Sequence, residues 1–554
     1  MSMSLIAFAY RLSRRRFYLA IGVCLLVLPE ALSAATDSKP LPQVPKWGRF
    51  EQSFRSSVAY ANPVQDAALS VTFTSPLGET LKANGFWDGG KTWRVRFAPD
   101  QPGKWSFKTT FSDRTNSSLH NIAGEFLCTA LTSKSRFDRH GPVQIARDRR
   151  HLEHRDWTPF FWLADTVSDG AVLAKANEWE YYAQARAQQK FSVAEWIAAP
   201  GRNLENETAY SGNARIVINP KFFQKLDARV EALNRAGILN AIVPLRDMVD
   251  EEALPEEQAI LLLRYMVARW DANDVAWVVT CEGDNLGRNA SRWKRIGRAV
   301  FGTGRHAPVI LNAGETYWVL DEFRAERWVD AFGYQSGQLV NDDTLLWLLA
   351  GPVSRDWMKP PVRPFINLAT AHENERPPQA QERADPLTVR RAVYWSLLNA
   401  PTAGVNYGGH GVCNWMTDSR STTGDSLPVW QKALFMPAAK QMSSVAGLFN
   451  TIDFWRLRPA PEVLARQPGL ESPSRHIAAA ATEIGDVVLI YVPEDRSVEM
   501  TLAALPSSPK AIWINARTGE RSPAVAVVGN TTCTFATPGA GDWLLYLKTS
   551  KDQP

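Results

Sequence analysis

Cysteine is scarce. The 554 residues hold five, and one of these, Cys24, falls in an N-terminal leader. Cys128, Cys281, Cys413 and Cys533 form no CxxC pair and have no paired histidines beside them, so no zinc site is expected. Buried free thiols are the plain reading, because cysteine is among the most buried residue types. Charge of one sign is missing too. The 62 basic and 57 acidic residues leave a net charge of +5 and no basic stripe, which argues against a nucleic-acid partner. No glycine-rich phosphate loop and no metal-ligand spacing stands out, so no metal and no cofactor are expected. Internal repeats and low-complexity stretches are absent. The apolar run from Phe17 to Leu28 covers twelve residues, too few to span a bilayer comfortably, so no stable membrane insertion is expected.

That run belongs to a targeting segment. Arg14, Arg15 and Arg16 precede it, and Ser33-Ala34-Ala35 offers a small-residue cleavage site, so residues 1–35 read as a signal peptide. The string Ser13-Arg14-Arg15-Arg16-Phe17 also fits the twin-arginine pattern, with Tyr18 where Leu is more usual. A lipid anchor at Cys24 is disfavoured by Val23 before it. The mature chain is expected in the periplasm or outside the cell.

The length exceeds one ordinary domain, so two or three are expected. Residues 46–131 alternate apolar and polar positions between turn signals and read as an antiparallel β-sandwich. From about 456 to 549 short strand patterns return, as a second small sandwich. Between them, residues 132–455 alternate apolar runs with helical patterns about eight times. The runs are FFWLAD (160–165), SVAEWI (192–197), LNAIVPL (239–245), VAWVVTCE (275–282), APVILNA (307–313), AFGYQS (331–336), RPFINLA (363–369) and GVNYGG (404–409). Short runs rich in β-branched and aromatic residues read as parallel strands covered on both faces. Eight such units predict a closed (β/α)8 TIM barrel flanked by two β-sandwiches.

A barrel of this kind carries its chemistry at the C-terminal ends of its strands. Acidic residues gather there: Asp165, Glu195, Asp247, Glu282, Glu315 and, a few residues on, Glu373. With 21 tryptophans and no evident Ser or Cys nucleophile triad, a carboxylate-lined cleft points to sugar chemistry. Indole faces stack well on sugar rings, and Trp162, Trp196 and Trp415 lie at strand ends, although core packing is the plainer role for most tryptophans.

Several motifs in one order resemble the apiosidase-like glycoside hydrolases. In the N-terminal region they are Asn62-Pro63, Gly85-Phe86-Trp87-Asp88-Gly89, Arg94-Val95-Arg96-Phe97 and Gly103-Lys104-Trp105. In the barrel they are His140-Gly141-Pro142-Val143, Phe161-Trp162-Leu163-Ala164-Asp165-Thr166, Trp277 through Glu282, Arg390 through Trp395 and Asn406-Tyr407-Gly408. Near the C-terminus they are Trp513 to Gly519 and Asp542-Trp543. The resemblance implies an N-terminal β-sandwich, a catalytic barrel and a C-terminal β-domain named after collagen binding. It also implies an oligosaccharide or polysaccharide substrate. Two departures matter. Ala369 stands where the family's strand-seven motif has its first Glu, and His372-Glu373 replaces Tyr-Glu. After strand five, Asn312 and Glu315 fall where a His is usual.

Glycosidic cleavage needs one protonated carboxyl group and one ionised partner. The proton-donor candidate is Glu282, after strand four, with Asp284 as fallback. Glu373, after strand seven, aligns with the family's second Glu and is the candidate partner, with Glu315 as substitute. Asp165, Trp162, Trp196, Gln335, His410, Trp415 and Glu315 are expected to line the substrate cleft by position. Arg186, on the first helical pattern, reads as a structural ion-pair partner. The bland alternative to an enzyme is a non-catalytic glycan-binding or polysaccharide-assembly protein on a degenerate barrel, which Ala369 motivates.

Overall fold

The computed structural model describes residues 40–131, 135–245, 253–281, 286–337, 342–376, 382–419 and 428–549. Its centre is a closed barrel of eight parallel strands: β1 (Trp162–Thr166), β2 (Val193–Ile197), β3 (Leu239–Val243), β4 (Val275–Cys281), β5 (Val309–Glu315), β6 (Ala331–Gln335), β7 (Phe365–Ala369) and β8 (Thr402–Gly408). β8 closes on β1 in register, with Ala164 opposite Asn406 and Thr166 opposite Gly408. The principal outer helices are α1 (Ala176–Gln188), α2 (Pro220–Arg235), α3 (Glu256–Trp270), α4 (Leu286–Phe301), α5 (Asp342–Ala350), α6 (Pro386–Leu398) and α7 (Pro437–Phe449). Between β5 and β6 the chain makes a 3-10 turn, Leu320–Phe323, in place of a full helix.

Side-chain parity separates two apolar layers, because successive residues of a strand face opposite sides of the sheet. Trp162, Ala164, Val193, Leu239, Ala241, Ala276, Val278, Ile310, Ala331, Ile366 and Leu368 fill the interior. Large side chains alternate with alanines there, so the barrel is a packed core and not a pore. Leu163, Ala194, Trp196, Ile242, Trp277 and Val279 face outward and join the larger core under the helices.

The segment before β1 plugs the N-terminal end. A short helix, Arg136–His140, and a three-stranded sheet of Val143–Ile145, Leu152–His154 and Pro159–Phe160 add Phe137, Val143, Leu152 and Phe160 to the interior cluster. In this plug the fully buried His154 donates from Nδ1 to the Gly141 carbonyl at 2.7 Å.

Residues 43–129 form a sandwich of a five-stranded and a three-stranded sheet. Its pairings are antiparallel except for Gln43–Pro45, which runs parallel to Ala123–Thr129. The strand Leu69–Thr74 shows the physical cause of the layering: Leu69, Val71 and Phe73 are buried, and the intervening Ser70, Thr72 and Thr74 are not. A second sandwich, of six and three antiparallel strands, spans Leu457–Thr549. Both dock on the outer helices, within one unit that runs from Pro42 onward. Asp227 on α2 accepts bidentate hydrogen bonds from Arg96 of the first sandwich (3.0 and 2.7 Å) and from Arg269 of α3 (2.8 and 2.7 Å). Arg269 also reaches Asp88 at 2.9 Å, and both guanidinium groups lie over the Phe86 ring. At the other end, Arg390 on α6 binds Asp542 of the second sandwich through two bonds of 2.7 Å.

Candidate active site

The C-terminal mouth of the barrel is polar where the interior below it is apolar. At its base, the Trp162 indole N–H donates to Asn406 Oδ1 at 2.8 Å, which orients the amide so that its NH2 donates to Glu195 Oε2 at 2.9 Å. Parity puts all three on the inner face of the barrel: Trp162 belongs to the interior cluster, and Asn406 pairs with the inward Ala164. Glu195 thus stands at the rim of β2 as an inward-pointing carboxylate. Across the mouth, Gln335 at the end of β6 donates to Asn312 Oδ1 of β5 at 3.2 Å. Glu315, the last residue of β5, is exposed and lies against Gly337 of the next strand's loop.

Past β7 the chain stays beside β8: the Glu373 N–H donates to the Gly408 carbonyl at 2.8 Å and the His410 N–H to the Glu373 carbonyl at 2.9 Å. Gly408 occupies an inward position opposite Thr166. A β-carbon built on it would fall 2.1 Å from His372 Cδ2, so the His372 ring fills the space an inward side chain would take. Glycine is needed there for this close approach. The His372 ring therefore lies in the mouth. Its Nδ1 is 3.4 Å from Glu375 Oε2, and His410 Nδ1 is 3.6 Å from the same oxygen. These lengths are loose polar contacts and not short hydrogen bonds. The two rings beside Glu375 hold its carboxyl well below the usual carboxylate range. One-third of the Glu375 side chain is open to solvent (33%), so this ionised group is reachable.

Glu373 has a different environment. It is almost fully buried, and Tyr407 donates to its Oε2 at 2.7 Å. The N–H groups of Ala438 and Ala439, in the first turn of α7, donate to the two oxygens at 2.8 and 3.2 Å. The carboxylate thus satisfies N–H groups that have no intrahelical partner, where the helix dipole favours negative charge. Burial and the adjacent Glu373 carboxylate hold the Tyr407 phenol well above its ordinary range. With these partners the group faces α7 and not open space.

Asp165 is likewise directed away from the mouth. It sits at an outward position of β1, fully buried, with Arg186 of α1 bound to both oxygens (2.7 and 3.2 Å) and Tyr182 donating at 2.8 Å. Burial works against the Arg186 guanidinium, but the Asp165 carboxylate more than offsets it and keeps it protonated. The tryptophans follow the same logic. Trp162 is enclosed in the interior, and Trp196 points outward, its N–H on Asn240 and its ring edge-on to Trp270. Trp415 stacks on Trp430 at 4.3 Å and packs against Trp179. None of these three indole faces is open to a sugar ring. Gln335 and His410 do border the mouth. Glu282, Asp247 and Asp284 lie outside the described residues. Reading strand ends for acids missed Glu375 and His372, which sit beyond the end of β7. The signal for them was the adjacent Gly408-Gly409-His410, a place where another chain segment can approach closely.

A closed parallel barrel with a polar, carboxylate-bearing mouth is an architecture shared by many enzymes, and the family this chain belongs to makes it one of the glycosidase class. The chain belongs to the family described as "Apiosidase-like, catalytic domain", whose model matches residues 146–456. Residues 43–112 match a domain of unknown function, and residues 459–548 match the "Putative collagen-binding domain of a collagenase". Among solved structures, one described as "Glycoside hydrolase" is 18% identical, with TM-score 0.68 over 76% of this chain and all of that one (100%). A glycoside hydrolase family 5 structure from Bacteroides vulgatus is 19% identical, with TM-score 0.66 over 76% of this chain and 96% of that one. At such identities the likeness is one of fold. No curated protein matches the chain significantly.

Proposed function

We propose that the chain is an exported glycosidase that cleaves a glycosidic bond in a plant or bacterial polysaccharide by a pair of carboxylates. The observation that carries this reading is the barrel mouth. There Glu195, oriented from below by the buried Asn406, lines the mouth with Gln335, His372, Glu375 and His410 over a packed apolar barrel. Such a surface offers hydrogen bonds to sugar hydroxyls and ionised oxygen to an anomeric centre. Glu282 follows the last residue of β4 directly in sequence, which supports it as the proton donor. Export is supported by residues 1–35 of the sequence.

The test is incubation of the mature chain, beside Glu282→Gln, with pectic and bacterial polysaccharides, reading released sugars by chromatography. Release by the wild type, cut by about 10²–10⁴-fold in the variant, supports both the reaction and the donor. The alternative of glycan binding without hydrolysis is favoured by one observation, Ala369 at the end of β7. Calorimetric binding of an oligosaccharide with no sugar released by the wild type would select it.

A further inference from the structure

The reaction just proposed needs a second, ionised carboxylate, and the family's strand-seven position holds Ala369. Glu373 is enclosed against α7 and Tyr407. Asp165 is enclosed against Arg186. We propose that Glu375, held at the barrel mouth between His372 and His410, is the catalytic carboxylate that partners the proton donor, with the two histidines as its positioning residues.

Four observations carry the assignment, which rests on the glycosidase reading. Gly408 admits the His372 ring into the mouth, and the Glu375 carboxylate lies 3.4 Å from that ring, at the end of the barrel where such enzymes take substrate. His410, on the segment after β8, brings its Nδ1 to 3.6 Å from the same oxygen, so chain from both strand ends borders the group. The loop is itself pinned: the Asn374 N–H donates to the Ala384 carbonyl and the Ala384 N–H to the Glu375 carbonyl, each at 2.9 Å, and Arg383 donates to the Asn374 carbonyl at 2.8 Å. Finally, Glu375 stays ionised and is open to solvent, as the carboxylate that acts on an anomeric carbon or on water has to be. The Cys413 thiol is also near this carboxylate; burial pushes it up to about 11, so it stays neutral.

The step balances in either geometry. The Glu375 carboxylate gives its electron pair to the anomeric carbon, or to a proton of the water that attacks that carbon. The glycosidic C–O bond breaks, and the departing oxygen takes the donor's proton. In the first geometry water then cleaves the glycosyl ester and returns the proton to the donor.

The experiment compares wild type, Glu375→Gln, Glu375→Ala, His410→Gln and Glu373→Gln on the polysaccharide that the wild type degrades, with thermal unfolding recorded for each. Glu375→Gln is expected to keep its melting temperature and lose about 10³-fold in kcat. Sodium azide should restore turnover to Glu375→Ala by taking the place of the missing oxygen nucleophile. His410→Gln should move the acid limb of the pH–rate profile upward, because Glu375 then holds its proton more tightly. Wild-type kcat in Glu375→Gln would overturn the assignment and leave the glycosidase reading intact. A wild type that releases no sugar from any glycan would remove the reading itself, and the assignment with it.

Discussion

Arg390 and Asp542 form a buried, two-pronged ion pair that ties α6 of the barrel to the C-terminal sandwich across 152 residues of sequence. The Tyr491 hydroxyl adds a third bond to the same carboxylate at 3.1 Å. Removing one partner of such a pair leaves the other charged and desolvated, which costs about 3–5 kcal/mol. Asp542→Ala is therefore expected to lower the unfolding free energy by that order. Denaturant titration checks it, and an unchanged midpoint would show that the pair is dispensable.

Glu373→Gln tests the structural role of the buried carboxylate. The variant keeps the size of the side chain and removes the charge from the first turn of α7 and one acceptor from Ala438, Ala439 or Tyr407. Loss of a helix-capping acceptor and an unsatisfied buried donor together predict a destabilisation of roughly 2–3 kcal/mol. The check is the melting temperature, set against that of Glu375→Gln.

Gly408→Ala places a methyl group where the His372 ring lies. The ring has to leave the mouth and takes its contact with Glu375 along. Turnover should fall at least ~10-fold, from misplacement of the carboxylate, while circular dichroism stays that of the wild type. Wild-type turnover would mean that the imidazole is free to move without consequence.

His154 sets a pH dependence. Burial pushes its imidazole down to about 4, with the nearby Arg136 adding to the effect. In the unfolded chain the ring titrates at about 6.5. Between these values the unfolded state binds the extra proton, so stability is present above the upper value and is lost as pH falls through the window, by about 3 kcal/mol in all. His154→Gln should destabilise the protein at pH 7.5 and show progressively less deficit, relative to wild type, toward pH 4.5. Chemical unfolding at several pH values checks it, and a constant deficit would contradict it.

Much of this architecture was legible in the residues. The eight apolar runs are strands because parallel strands covered on both faces leave no polar side, and each observed barrel strand overlaps its run. The pairing of Arg186 was foreseeable in kind, since a buried guanidinium requires a partner. The site was less legible for two physical reasons. Parity decides which of two adjacent residues enters the mouth, so Glu195 and Thr166 face inward while Trp196 and Asp165 face the helices. That alternation can be read only once the register is known. The partners of Glu373 lie 34 residues on, at Tyr407, and 65 residues on, at Ala438, and no local pattern announces a helix that will land on a distant carboxylate.

The motif segments that resemble the family's flanking domains turn out to be fastenings. Phe86 and Asp88 grip Arg269, and Asp542 grips Arg390, so each sandwich inserts a short motif into the barrel's outer wall. The wall at those two places is built to be covered: Phe86 meets Tyr265 edge-on, and Tyr394 stacks on Tyr491 at 4.8 Å. An excised barrel would carry two raw aromatic scars and an Arg390 guanidinium stripped of its carboxylate, while Arg269 and Asp227 would keep each other but lose Asp88 and Arg96. The three parts are thereby bound to be inherited, expressed and engineered as a single piece.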